Sequence, residues 1–186
     1  MIAEALNCVK ESLNTQLKSK LPAGEERVII SGLINQDGSS AVNGDNKLLL
    51  TLVGVEQDIS QKIGITVGGN FSAKKTAPVS LNLFVMVSAY FSSNNYEEAL
   101  RFLSFAISFF QQKNVFTPEN TPEMDARLHK LTFEIENCGF DKINNIWATL
   151  GAKYVPSIIY KVRMITFNSD FIREFRPRIT GLNTNI

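Results

Sequence analysis

The chain has 186 residues, 44% of them hydrophobic and 20% charged, with a formal net charge of +1. That balance belongs to a folded globular protein of one domain, or one domain with an arm, and argues against disorder. Near-neutral charge without a basic stripe argues against nucleic acid as a partner. The start, MIAEALNCVKESL, carries Glu4 and lacks both a basic opening and a long apolar run, so no secretory signal is expected. No stretch approaches the ~18 continuous apolar residues of a membrane span, so no membrane insertion is expected.

Residues 2–19 read as a helix, because Ile2, Ala5, Leu6, Val9, Leu13 and Leu17 share a face at helical spacing. Lys18 and Lys20 suit its C-terminal dipole end, and Pro22-Ala23-Gly24 stops it. Val28–Ile34 is a short β-rich run, and residues 35–46 (NQDGSSAVNGDN) form a polar loop. Leu48–Val55 is a second strand, apolar on both faces for part of its length, and a hairpin pairing with the first is expected. In residues 56–77, Ile63, Ile65 and Val67 alternate up to Gly68-Gly69, with Phe71 following. A projecting β-hairpin with a glycine turn is the reading, a mobile loop its alternative.

The stretch 79–112 organises the rest. VSLNLFVMVSAYF alternates as a strand, and YEEALRFLSFAISFFQQ follows as a long helix. Tyr96, Ala99, Leu100, Leu103, Ala106, Ile107 and Phe110 form one apolar stripe, which Phe102, Phe105 and Phe109 widen. At 100° per residue the apolar arc spans roughly 220°, well beyond the ~100° that one sheet face covers. A second layer or a second subunit is expected over it.

Residues 115–125, with two prolines and no periodicity, read as an extended connection. Leu131, Phe133 and Ile135 alternate as a half-exposed strand. Asp141 is a suitable cap for a short helix with a stripe of Ile143, Ile146, Trp147 and Leu150, ended by Gly151. Ser157–Phe167 is the last strand, in which Lys161 and Arg163 would oppose Glu134 and Glu136 if it lies beside the previous one. Residues 168–186 lose regular alternation and read as an arm behind a domain of residues 1–167. The order implies an α+β domain with a mixed, mostly antiparallel sheet flanked by the long helix and the N-terminal helix.

No catalytic constellation emerges. The single histidine, His129, has no recognisable nucleophile or carboxylate partner nearby in sequence. Cys8 and Cys138 are far apart and form no metal-ligand spacing, so they read as reduced, packed thiols of a cytoplasmic protein. Gly68-Gly69 is not followed by Lys-Ser/Thr or a helix, so it is no phosphate cradle. Gln36-Asp37-Gly38 has the wrong oxygen spacing for calcium. Trp147 reads as core rather than a binding hot spot. Neither cofactor nor metal is expected.

Several segments together resemble a known family: MIAEALNCVKESLN, KLLLTLVGVE, LNLFVMVSAYF, YEEALRFLSFAISFFQ, VFTPENTP, LTFEIEN and NNIWATLGAKYVPSIIYKVRMITF. In this order they are similar to the N-terminal domain of the tail-terminator, or cap, proteins of phage-tail-like contractile injection systems. The resemblance covers about Met1 to Phe167. It implies a homo-oligomer, a hexameric ring that ends the inner tube and joins it to the sheath, assembled in the cytoplasm. A non-catalytic adaptor or ligand-binding module of a secretion complex is the alternative.

A cap needs interfaces rather than a reaction. Phe102, Phe105 and Phe109 are expected to form the intersubunit contact or support the segment that does, the alternative being that all three are intramolecular core beneath another helix. Gly68, Gly69 and Phe71 of the ribbon, and Phe171, Arg173, Phe175, Arg176 and Arg178 of the arm, are expected to reach the sheath protein or the inner tube protein.

Overall fold

A computed structural model describes residues 1–20, 26–58, 71–75, 79–166 and 172–177. Its elements are α1 (Ile2–Lys20), β1 (Val28–Ile30), β2 (Lys47–Gln57), β3 (Phe71–Lys75), β4 (Val79–Tyr90), α2 (Tyr96–Gln112), β5 (Val115–Phe116), β6 (Leu128–Ile135), α3 (Phe140–Leu150), β7 (Ser157–Thr166) and β8 (Ile172–Pro177). A single 3-10 turn, Ser93–Asn95, links β4 to α2. Six strands form one sheet in the order β1-β2-β4-β7-β6-β5, and β3 pairs with β8 in a separate two-stranded sheet. This is the expected α+β fold, with a mixed and mainly antiparallel sheet.

Strand alternation distributes the core between two faces. Leu83, Val85, Val87 and Ala89 of β4, with Tyr160, Val162 and Met164 of β7, pack under α1 and α2. Met86 and Ile159 point the other way, to α3 and to Leu33 and Val42 of the loop after β1. The strip of α2 that meets the sheet is Ala99, Phe102, Ala106, Phe109 and Phe110. Phe110 stacks on Phe133 at 4.6 Å between ring centroids and sits 4.6 Å from Tyr160. Phe109 meets Phe110 edge-on at 5.0 Å, and Phe102 meets Phe91 in the same way at 5.1 Å. Burial of each such ring is worth roughly 1.5–3 kcal/mol, so this cluster is a main source of stability.

Three expectations are corrected. β1 and β2 pair in parallel, with Val28 opposite Leu48 and Ile30 opposite Leu50, rather than as a hairpin. The loop between them reverses within itself, through an antiparallel bridge from Ile34 to Ser40, so β2 returns in β1's direction. Asn14 of α1 completes this edge. Its amide donates to the Val28 carbonyl at 2.9 Å, and its carbonyl accepts the Val28 and Arg27 amides at 2.9 and 3.2 Å. Buried at 3% exposure, Asn14 satisfies edge groups that no further strand reaches among the described residues.

In the second correction, Lys161 does oppose Glu134, but Arg163 lies opposite Thr132. Arg163 pairs instead with Asp58 at 3.3 Å, and Glu136 binds Lys142 at 2.8 Å. Third, Gly139 rather than Asp141 is the N-cap of α3. Asp141 falls in the first turn, where its charge suits the helix dipole. Gly151 ends the helix in the left-handed conformation, φ 65°, as expected. One core strand carried no sequence signal: β5, two residues long, pairs with β6 and puts Phe116 at 0% exposure.

Candidate assembly surfaces

Burial divides the phenylalanines of α2. Phe102 and Phe109 lie in their own subunit's core at 4% and 2% exposure, while Phe105 is half-buried beneath Lys20, whose Nζ stands 5.7 Å from its ring. Phe102 and Phe109 can therefore support a contact surface only from within. The apolar stripe reaches solvent at the start of the helix, with Tyr96 at 56% and Leu100 at 42% exposure. Glu97 and Arg101 beside them form an exposed ion pair at 2.6 Å. Such a pair adds little stability, so this edge is free to rearrange against a neighbour.

A second apolar surface lies where β6 ends and α3 begins. Phe140 is 91% exposed, Tyr154 65% and Ile135 46%. Tyr154 lines a groove of about 340 Å³ together with Glu136, Gly139, Ile143 and Trp147, and Phe140 follows Gly139 at its edge. Trp147 and Tyr154 meet edge-on at 5.4 Å, so the groove has a rigid aromatic wall. Trp147 itself is buried, as its position on the α3 stripe predicts. Exposed aromatics around a pocket are the composition of a protein-binding hot spot.

The third surface joins two segments that are far apart in sequence. β3 leads into β4, β7 leads into β8, and Val79 faces Thr166 at the end of the main sheet. β3 and β8 then pair antiparallel, with Phe71 opposite Pro177, Ser72 opposite Arg176, Ala73 opposite Phe175 and Lys75 opposite Ile172. The β4–β7 pair thus resumes as a ribbon, three residues later on one strand and five on the other. Phe71, Arg173, Phe175 and Arg176 fall in this ribbon, whereas Gly68, Gly69, Phe171 and Arg178 lie outside the described residues. The predicted hairpin turn at 68–69 also lies outside them.

Elsewhere the titratable groups do structural work. His129 is exposed at the second residue of β6. Cys8 is buried, which pushes its thiol up, and Cys138 is half-buried. Burial pushes the Tyr160 phenol up to about 12, and among the described residues its hydroxyl has no hydrogen-bond partner. The Asp125 carboxyl is held well below the usual range by the Arg127 guanidinium, which also reaches Glu4 of α1 at 2.9 Å. Among the described residues no group of three or more His, Cys, Asp or Glu is placed to hold a metal ion. None of the helices there is long and apolar enough to cross a membrane.

A family described as the Pvc16 N-terminal domain matches residues 8–181. The chain belongs to that family. It is the tail-terminator family of contractile injection systems that the sequence segments resemble. Solved structures with a similar fold include two terminators. One is the PVC sheath/tube terminator of an extracellular contractile injection system in its extended state, with TM-score 0.62 and 13% identity. The other is the anti-feeding prophage cap, described as the AFP tube-terminating cap, with TM-score 0.57 and 16% identity. Each match covers 96% of this chain but only 62% and 60% of those chains, so the chain spans about three-fifths of their length. No curated protein is similar to it.

Proposed function

We propose that this chain is a structural tail terminator: a hexameric ring that closes the inner tube of a contractile injection particle and joins it to the sheath. The observation that carries this reading is the family match over residues 8–181, supported by the agreement in fold with two terminator structures. Two exposed apolar surfaces, at Tyr96/Leu100 and at Phe140, together with a two-stranded β3–β8 sheet separate from the main one, fit a subunit with several neighbours. The role needs no reaction: binding and shape do the work, and assembly takes place in the cytoplasm before the particle is complete. Residues 59–70, with Gly68 and Gly69, and residues 178–186, with Arg178, are proposed to extend from the ribbon to the sheath or tube protein. Phe105 and the Tyr96/Leu100 edge are proposed to face another subunit, with Phe102 and Phe109 holding that edge in place.

The test is to image particles from a strain lacking this chain. Uncapped or overlong tubes, restored to uniform length by the returned gene, are the expected result. Normal particles from the deletion strain would refute the reading.

A further inference from the structure

Of the chain's 11 glycines, two follow a residue whose side chain can close a cyclic imide with the main chain: Asp37-Gly38 and Asn43-Gly44. Both pairs lie in the loop between β1 and β2, and both glycines take a positive φ, 82° and 79°. Without a Cβ, glycine leaves its amide nitrogen open to the preceding side chain. The two pairs are held differently. The Asp37 carboxylate accepts the Ser39 hydroxyl at 2.6 Å and the Ser39 amide at 2.9 Å. Those bonds hold the carboxyl below its ordinary range and keep it ionised, the form that resists attack. The Gly38 amide is also engaged, donating to the Asn35 carbonyl at 3.0 Å. Asn43 and Gly44, by contrast, are both exposed. Among the described residues, neither the Asn43 side-chain amide nor the Gly44 N–H has a hydrogen-bond partner.

One cation completes the site. The Lys47 Nζ donates to the Asn43 carbonyl oxygen at 2.9 Å and stands 4.0 Å from where a Cβ on Gly44 would sit. That carbonyl and the Gly44 nitrogen belong to one peptide unit. When the nitrogen gives up its proton, resonance moves the negative charge onto the oxygen, where the ammonium already sits.

We propose that Asn43-Gly44 is a site of spontaneous deamidation, promoted by Lys47. The Gly44 nitrogen loses its proton to water or hydroxide and attacks Asn43 Cγ. The new N–Cγ bond forms, the Cγ–Nδ2 bond breaks, and Nδ2 leaves as ammonia after taking a proton from solvent. Water then opens the cyclic imide at either carbonyl, leaving aspartate or isoaspartate at position 43. Either product takes the formal net charge of the chain from +1 to zero. The isoaspartate form also adds a methylene to the main chain between Val42, which is buried, and Lys47, which opens β2. The chemistry needs water and no enzyme.

The test ages purified wild type and Lys47→Gln side by side in mildly alkaline buffer, with peptide mass spectrometry following each asparagine. Position 43 is expected to convert ahead of Asn35 and Asn46, whose side chains are hydrogen-bonded in the same loop and which precede residues with a Cβ. Lys47→Gln is expected to slow that conversion about two- to fivefold, the range for an exposed charge contact. Lys47→Arg should keep most of the wild-type rate, and raised salt should slow wild type toward the Lys47→Gln rate. Circular dichroism verifies folding, and the salt series on wild type needs no variant at all. Conversion at position 43 no faster than at Asn35 and Asn46 would overturn the proposal. So would a folded Lys47→Gln that ages as fast as wild type, or a wild-type rate that salt leaves unchanged.

Discussion

The helices α2 and α3 each carry aromatic residues at helical spacing, yet they use them in opposite ways. α2 sends Phe109 and Phe110 into a cluster with Phe116, Phe133 and Tyr160 and buries Phe102 against Phe91, and all of these rings except Phe91 are below 5% exposure. α3 buries Trp147 but leaves Phe140 almost fully in solvent. The difference comes from position over the sheet. α2 packs in one core cluster with residues of β4, β6 and β7, whereas α3 packs on the other face through Ile143, Ile146, Trp147 and Leu150 and leaves Phe140 outside that cluster. An excess of phenylalanine in one helix therefore marks the core here, and a single phenylalanine in the other marks the surface.

The comparison is broken most directly by truncating one ring in each helix. Phe110→Ala is expected to cost about 3–5 kcal/mol, because Phe133 and Tyr160 on two paired strands cannot collapse into the space. Phe140→Ala is expected to change stability by no more than about 0.5 kcal/mol, since it removes an exposed side chain. Chemical denaturation of both variants measures the contrast, and comparable losses would erase it.

A smaller effect tests the sheet edge that the sequence misjudged. Asn14→Leu is expected to cost about 2–3 kcal/mol, because it strands the Val28 amide and carbonyl away from water. Amide exchange at Val28 should accelerate with it. The smallest effect has the opposite sign. Tyr160→Phe removes a buried hydroxyl without a partner and is expected to stabilise by about 1 kcal/mol. A loss of stability in its thermal unfolding would show that the hydroxyl is satisfied.

The long elements were legible because their periodicity reflects burial: α1, β2, β4, α2 and β7 lie within a residue or two of their predicted bounds. The family segments lie mainly in these elements, which is why the resemblance identified the fold. What could not be read depends on tertiary placement. Two residues, Val115–Phe116, are too few to show alternation, so β5 passed for a connection. Parallel pairing of β1 with β2 depends on how residues 31–46 double back, which polar loop composition does not encode. With the helix start placed at Asp141, Phe140 falls outside the predicted stripe of Ile143, Ile146, Trp147 and Leu150, so the sequence pattern assigns it no role. In the sequence the ribbon and the arm read as two separate segments. Their pairing joins residues a hundred positions apart, which no local pattern records.

The central claim is that this chain sits at the end of a tube. Met1 is exposed at the start of α1, so a tag there can carry a gold label on assembled particles. The account predicts label at one end of each particle and none along its length. Label spread along the sheath, or particles that carry none, would contradict it.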